Sequence, residues 1–126
     1  MENLQLFIAQ TDDKEKLASN PWAKQHWTCT AVNPNTARSV CFDVFGGGSA
    51  TMTAENALFI LLNEACEAIN FHDASDVMEE FGYESWNEAC EVYNGLRDQY
   101  NKAWFLFDGD ESAMVDLCND LAERWA

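Results

Sequence analysis

Histidines, paired cysteines and basic residues are scarce in this chain of 126 residues. Its two histidines, His26 and His72, have no second histidine four residues away, and its five cysteines contain no CxxC pair. Zinc sites and dithiol redox sites are usually recognised by such spacings. The sequence therefore predicts no bound metal, and it carries no thiol-redox signature.

Sequence motifs of catalysis are also absent. The glycine run at residues 46–49 (GGGS) lacks the lysine and hydroxyl pattern of a phosphate-binding loop, so we interpret it as a turn between a strand and a helix. No GxSxG nucleophile motif occurs, and Asp108, Gly109 and Asp110 supply only a fragment of a calcium-binding loop. We therefore predict no catalytic residues, no cofactor and no enzymatic activity.

A long apolar run is missing as well. No stretch of about 18 apolar residues is present to form a membrane-spanning helix, and the N-terminus has neither the basic start nor the cleavage site of a signal peptide. We therefore expect a cytoplasmic protein with reduced cysteines that pack as small apolar side chains. A disulfide between Cys29 and Cys41, facing each other across a hairpin, is the alternative.

What the sequence does contain is a large excess of acidic residues. It has 22 acidic and 7 basic side chains, for a net charge of −15. Residues 1–54 hold five acids and four bases, a charge of −1, whereas residues 55–126 hold seventeen acids and three bases, a charge of −14. Such a surface repels nucleic acid, so we expect no direct nucleic-acid binding, and it attracts basic proteins.

The composition indicates one globular domain over residues 1–126. Apolar residues make up 48% of the chain and aromatic residues 13%, which is enough for a hydrophobic core. The patterns divide the domain into an N-terminal sheet region, residues 1–50, and an acidic helical region, residues 51–126. The predicted fold class is α+β, with a small antiparallel sheet packed against a cluster of three to four helices.

The sheet region contains one clear hairpin. Residues 26–33 and 38–45 are rich in β-branched and aromatic side chains, and turn-forming residues 33–36 join them. This pattern predicts two antiparallel strands. Residues 3–10 form a short apolar run that fits a strand or a helix equally well, and residues 12–19 predict a short solvated helix.

The acidic region begins with the most apolar helix, predicted over residues 53–71. Its apolar residues follow helical spacing and predict a face that packs across the sheet: Leu58, Leu62, Ala65 and Ile69. A short helix is predicted near residues 75–81, with Gly82 as the left-handed residue that ends it.

A long helix is predicted from Trp86 to about Phe107, begun by a capping box of Ser85 and Glu88. Gly95 within it predicts a close contact or a bend. Residues 104–107 (WFLF) are interpreted as core, with a dimer contact as the alternative. Three-four spacing predicts these inward-facing residues: Trp86, Ala89, Tyr93, Leu96, Tyr100 and Ala103. A last helix, capped by Asp110 or Ser112, is predicted to bury Met114, Leu117, Cys118, Leu121 and Trp125.

Two short phrases resemble a group of small proteins encoded by phages and prophages. These phrases are residues 27–30 (WTCT) and residues 80–83 (EFGY), within a similarity that spans roughly residues 26–107. The chain departs from the group at Ala31, where leucine is usual, and it lacks the group's tryptophan at residues 76–78. The group has no assigned activity, so the resemblance implies a phage setting and a fold but carries over no catalytic residue.

The acidic residues are the informative candidates for function. Glu84, Glu88 and Glu91 lie at helical spacing, as do three acids of the last helix, and like charges so placed cost a few tenths of a kcal/mol per pair. Folding does not need them, and a spacing of about 6 Å along a helix is close to that of DNA phosphates. The predicted partner-binding residues are Glu79, Glu80, Glu84, Glu88, Glu91, Asp98, Asp116, Asp120 and Glu123.

The leading hypothesis is a phage-encoded, non-enzymatic protein that inhibits or modulates a basic nucleic-acid-handling protein in the host cytoplasm. A CRISPR effector or a restriction enzyme fits that description, and contact would be partly by DNA mimicry. This anti-defence role is an analogy of setting and charge. The alternatives are an accessory module that binds a partner or a second copy through exposed Trp104, Phe105 and Trp125, a small-molecule-binding or enzymatic domain, and a solvated acidic surface with no partner.

Overall fold

Three antiparallel strands and one short helix make up the N-terminal part of the protein. The computed structural model describes residues 4–48 and 51–125; the side chain of Trp125, like Ser49 and the terminal residues, lies outside the described part. The elements are β1 (Gln5–Gln10), α1 (Lys14–Ala18), β2 (Gln25–Asn33) and β3 (Arg38–Gly46). The strand order is β1-β2-β3, so the predicted hairpin is confirmed and the described part of residues 3–10 joins it as a third strand.

Four helices follow. They are α2 (Ala54–Ile69), α3 (Ala74–Phe81), α4 (Trp86–Leu106) and α5 (Glu111–Trp125). Side chains of Thr53, Asp73 and Ser85 accept backbone N–H groups of the first turns of α2, α3 and α4. Gly82 ends α3 with a φ of 71°, as predicted. Asp110 begins α5, because its carboxylate accepts the backbone N–H of Ala113.

Alternation along the strands separates the two faces of the sheet. One face carries Trp27, Cys29 and Ala31 of β2 with Phe42 and Val44 of β3, all buried. This face packs on the apolar side of α2 and on parts of α4 and α5, in one hydrophobic core. The helical members of that core are Ala57, Leu58, Leu61, Leu62, Ala65, Ala103, Leu106, Met114, Cys118 and Leu121. The predicted α+β architecture is confirmed.

The remaining helices occupy separate positions. α3 packs on the first half of α4 through a small second cluster centred on Ala74, Val77 and Ala89. α1 lies over the opposite face of the sheet, where Lys16 reaches Asp43. Among the described residues, none of the helices has the length and apolar character needed to cross a membrane.

Two residues predicted to face inward are exposed instead. Trp86 is 52% exposed and Ile69 is also exposed. Trp86 is the first residue of α4 and Ile69 the last of α2. At such ends the apolar spacing continues, but the neighbouring element no longer covers it. Gly95 makes no close contact, since a Cβ added there would meet nothing within 4 Å.

The apolar residues 104–107 divide between core and surface. Leu106 and Phe107 are buried, whereas Trp104 and Phe105 are 47% and 46% exposed. Successive helical residues point about 100° apart, so four in a row cannot all face one core. The prediction that the whole segment is core is therefore half correct.

The cysteines of the hairpin lie on opposite faces of the sheet. Cys29 pairs with Phe42 and is buried beneath the helices, whereas Cys41 pairs with Thr30 and is exposed. Two side chains on opposite faces cannot form a disulfide without rearranging a strand. The alternative of a Cys29–Cys41 disulfide is therefore wrong, and all five cysteines are free thiols.

Candidate functional site

All nine acidic residues predicted to contact a partner lie on the surface. Among the described residues, none of the nine forms an ion pair, and no side chain or backbone N–H donates to their carboxylates. The ion pairs of the fold use other acids: Asp43 with Lys16, Asp108 with Arg38, and Glu55 with Arg124. The nine carboxylates are therefore not used by the fold.

The first group of these acids follows one stripe of α4. Glu88, Glu91 and Asp98 share this stripe with Gly95 and Lys102, because residues three or four apart lie on the same helical face. Glu84 precedes the N-cap residue Ser85, so it lies next to the start of α4 but outside the helix. From Glu88 to Asp98 the stripe covers about 15 Å at a rise of 1.5 Å per residue. We call Glu84, Glu88, Glu91 and Asp98 the α4 stripe.

The second group lies on α5. Asp116 and Asp120 line a cleft of about 470 Å³ together with Asn33, Asn35 and Thr36 of the hairpin turn, and Glu123 follows Asp120 by three residues. Asp98 instead lines a cleft beside Phe45, at the other end of β3. Arg38 and Phe45 are separated by about 23 Å of extended strand. The α5 acids and the α4 stripe therefore lie toward opposite ends of the hairpin.

The third group is at the end of α3. Glu79 and Glu80 are exposed there, and Glu80 lines a cleft of about 360 Å³ with Phe71, Phe81 and Glu67. The structure therefore distributes the nine predicted residues over three surfaces. Two of these surfaces carry a helical row, which is Glu88, Glu91 and Asp98 on α4 and Asp116, Asp120 and Glu123 on α5.

Sequence reasoning missed a polar cluster on the outer face of the sheet. His26 is 1% exposed, its ring stacks on Phe45 at 5.0 Å, and its Nε2 lies 2.8 Å from Oδ1 of Asp43. The Thr11 hydroxyl lies 2.8 Å from His26 Nδ1, and the backbone N–H of Asp13 donates to the same nitrogen at 3.2 Å. Because an N–H can only donate, Nδ1 is an acceptor, and Nε2 carries the ring proton and donates to Asp43.

This hydroxyl–imidazole–carboxylate alignment has the order of a hydrolase triad, but its hydrogen bonds serve packing. Nδ1 already accepts from both the Thr11 hydroxyl and Asp13, so it has no capacity left to take a proton from a nucleophile. The backbone N–H of His26 also donates to Asp12, and its carbonyl accepts the amides of Thr11 and Asp12. The cluster therefore anchors the segment before α1 to the sheet. The only sequence signal was Asp43, which interrupts an apolar strand.

A cleft of about 400 Å³ opens where β3 ends beside α2 and α4. Its walls include Trp22, Phe45, Glu64, Gly95 and Asp98. Burial, and the charge of Glu67, raise the pKa of the Glu64 carboxyl despite a hydrogen bond from Gln99 and the charge of Lys102. For Asp43, burial acts to raise the pKa. Hydrogen bonds from His26 and Lys16, with the charge of Lys16, outweigh that effect and lower it. We call this space the Trp22 cleft.

Cys29 and Cys66 do not supply a nucleophile. Burial raises the pKa of Cys29 to about 11 and, together with neighbouring Cys118, that of Cys66 to about 12. Cysteine reacts as the thiolate, so both side chains are unreactive at neutral pH. Within residues 4–48 and 51–125, no group of histidine, cysteine and acidic side chains is arranged to hold a metal ion.

Comparisons of the chain with protein-family models, with curated proteins and with solved structures give no match. The resemblance to phage-encoded proteins stays a prediction, and the function has to be inferred from the arrangement of the residues.

Proposed function

We propose that the protein is a non-enzymatic binding protein for a basic, nucleic-acid-handling partner. The observation that supports this proposal is the α4 stripe, a row of exposed carboxylates that neither pair with a basic residue nor stabilise the fold. A protein that keeps such a row gains solubility and an electrostatic attraction for basic surfaces.

The spacing of the stripe supports partial mimicry of DNA. The gap from Glu91 to Asp98 is about 10.5 Å along the helix axis, and Glu88 and Glu91 are about 4.5 Å apart. A groove lined by lysine and arginine to accept successive phosphates also suits carboxylates at that spacing. The acids of α5 and α3 lie elsewhere, so the mimicry proposed is of one strand segment rather than of a whole duplex.

The proposed setting is a phage-infected cell, on the basis of residues 27–30 and 80–83. In that setting the partner would be a host-defence protein in the cytoplasm, such as a CRISPR effector or a restriction enzyme, which the protein would inhibit or modulate. Such proteins carry basic channels for nucleic acid, which is the surface that the α4 stripe complements.

The experiment compares two variants with equal loss of charge. Glu84→Gln/Glu88→Gln/Glu91→Gln neutralises the α4 stripe, and Asp116→Asn/Asp120→Asn/Glu123→Gln neutralises the α5 acids as a matched control. Tagged wild-type and variant proteins are used to capture partners from a bacterial lysate at low and high salt, and bound proteins are identified by mass.

We expect the wild type to retain one basic nucleic-acid enzyme at low salt, to lose it at high salt, and to release it when DNA is added. The α4 variant should lose this partner, whereas the α5 variant should keep it. Equal capture by the α4 variant and the wild type would contradict the proposal. Equal loss in both variants would show that net charge matters rather than the row.

A second candidate function is an accessory module that binds through an apolar surface. Trp104 and Phe105 are adjacent and about half exposed, and the Arg38 guanidinium lies 4.6 Å from the Phe105 ring centre. Exposed aromatic residues beside an arginine are common in protein interfaces. Sedimentation of wild type and Trp104→Ala/Phe105→Ala tests the homodimer version. A strict monomer at high wild-type concentration would exclude it, and a partner retained at high salt would favour an apolar contact.

A further inference from the structure

We propose that the Trp22 cleft binds an arginine side chain of the basic partner. This proposal rests on the proposed function and deepens it, since it identifies where one particular residue of the partner is held. The cleft joins two aromatic walls, Trp22 and Phe45, to the carboxylates of Glu64 and Asp98. Aromatic faces together with carboxylates attract a cation that can both stack and form hydrogen bonds.

A turn holds the backbone of Trp22 and the indole contacts Gly47, although the side chain is 63% exposed. The amide of Ala23 donates to the carbonyl of Asn20 at 2.8 Å, which closes a turn with Pro21 at its second position. The indole lies against Gly47, where an added Cβ would meet the Trp22 carbonyl oxygen at 3.2 Å and the ring at 3.5 Å. An aromatic side chain held in place before binding costs less entropy when a ligand stacks on it.

The opposite wall is open because α4 has glycine there. Gly95 lies on the same helical stripe as Asp98, and a Cβ at Gly95 would meet nothing within 4 Å. Glycine inside a helix lowers the stability of that helix, and no packing contact at Gly95 compensates for this loss. The stripe of Glu84, Glu88 and Glu91 leads along α4 into this gap, so a partner lying on the stripe reaches the cleft.

The carboxylates of the cleft differ in their availability. Asp43 is already paired with Lys16 and hydrogen-bonded to His26, so its charge is largely compensated. Glu64 and Asp98 form no ion pair in the described residues, although Lys102 lies in the same wall. Burial raises the pKa of Glu64, and an arriving cation would favour its charged form. Glu64 and Asp98 are therefore both available to accept hydrogen bonds from the N–H groups of a guanidinium.

The shape favours arginine over a metal ion or a lysine. A space of about 400 Å³ is much larger than a metal ion, and the acids here are not grouped as metal ligands. A guanidinium is planar, so it stacks on an indole while its N–H groups reach a carboxylate, and an ammonium cannot stack in that way. A lysine would therefore be held less tightly.

The test uses the whole ¹⁵N-labelled chain and a peptide of six arginines as the probe, with six-lysine and six-citrulline peptides as comparisons. Trp22→Ala identifies the Trp22 indole signal and removes one wall. Gly95→Leu obstructs the cleft and should raise the melting temperature, because leucine is a far better helix former than glycine. Trp86→Ala is the matched control, an exposed tryptophan outside the cleft.

We expect the arginine peptide to shift the Trp22 indole and Gly95 amide signals, with the lysine peptide binding more weakly and the citrulline peptide not binding. Trp22→Ala and Gly95→Leu should each weaken arginine-peptide binding about tenfold, and Trp86→Ala should leave it unchanged. Wild-type affinity in both cleft variants, or equal binding of the lysine or citrulline peptide, would overturn the proposal.

The variant Glu84→Gln/Glu88→Gln/Glu91→Gln separates this proposal from the proposed function. If it loses the arginine peptide while the cleft variants keep it, the acidic stripe binds basic partners and the cleft assignment is wrong. If the cleft variants lose the peptide while the stripe variant keeps it, the cleft assignment holds and the contact assigned to the stripe is wrong.

Discussion

The outer face of the sheet and the outer face of α4 use their charged groups in opposite ways. On the sheet, Asp43 accepts hydrogen bonds from His26 and Lys16, and the side-chain and backbone polar groups of His26 all have partners. On α4, the carboxylates of Glu88, Glu91 and Asp98 have no hydrogen-bond or ion-pair partner among the described residues. The same kind of side chain is part of the fold in one place and an unpaired surface group in the other.

The difference shows which charges to connect with function. A paired carboxylate such as Asp43 is explained by the packing around it, so its presence says little about ligands. An unpaired row on a helix is unfavourable by a few tenths of a kcal/mol per neighbouring pair, so folding does not explain it. Four substitutions test this comparison.

The largest effect is expected for His26→Leu. Leucine has a volume near that of histidine, but it leaves Asp43, the Thr11 hydroxyl and the Asp13 amide without their buried partner. Each of the three lost hydrogen bonds contributes about 0.5–1.5 kcal/mol, so we expect a loss of about 2–3 kcal/mol in the free energy of unfolding. Urea denaturation measures it, and His72→Leu, at an exposed position, is the control. A loss below about 0.5 kcal/mol would show that the cluster does not anchor α1.

A gain of about 1 kcal/mol is expected for Gly95→Ala, because alanine is favoured over glycine by that amount inside a helix. Nothing in the described structure obstructs the added methyl group. Gly47→Ala is the contrasting variant, since its Cβ would lie 3.2 Å from the Trp22 carbonyl oxygen, and we expect no gain there. Thermal unfolding of both variants checks this. A destabilised Gly95→Ala would mean that α4 needs a bend at this residue.

The smallest effect is expected for Glu64→Gln, as a change in pH dependence. Burial raises the pKa of Glu64 in the folded state above its usual value, so the folded protein binds the proton more tightly than the unfolded chain does. Above the folded pKa the charged carboxylate therefore lowers stability, and this cost disappears as the pH falls below the usual value of 4.5. The glutamine variant should be the more stable at neutral pH and lose that advantage in acid.

Asp43→Asn should show the opposite pH dependence. The pKa of Asp43 is lowered in the folded state, so its charge stabilises the fold above the usual value of 3.8, and that contribution is lost as the pH falls through the folded pKa. The asparagine variant should be less stable than the wild type at neutral pH and approach it in acid. Parallel curves for the two variants would contradict the contrast drawn between these carboxylates.

Elements with a clear local pattern were predictable from the sequence. Neighbouring residues were enough to predict four such features: the hairpin, Gly82 as the end of α3, Ser85 as the cap of α4 and the interior position of Leu62. The third strand was not decided, because six residues of mixed burial have no periodicity that separates strand from helix. Trp86 was placed wrongly because spacing alone does not tell where a neighbouring element ends.

The candidate site was predictable only in part. The acids of the α4 stripe are exposed, as expected for charged residues away from the apolar face of a helix, and their contact with a partner stays a prediction. The Trp22 cleft was not foreseen, because Trp22, Glu64 and Gly95 come from three distant segments that only the tertiary fold brings together. Glu64 is only partly exposed, which no local pattern in the sequence reveals.

The open edge of β1 gives the acidic surface a further consequence. No described strand pairs with the outer edge of β1, which leaves backbone groups free to join a strand of another molecule. The −14 charge of residues 55–126 makes the molecules repel one another. This repulsion keeps the open β1 edges of different molecules apart, although β1 itself lies in residues 1–54, whose charge is only −1. Near the isoelectric point of about 4.1 the net charge approaches zero and this repulsion is lost, so aggregation through the β1 edge should set in during acidification before the fold itself is lost.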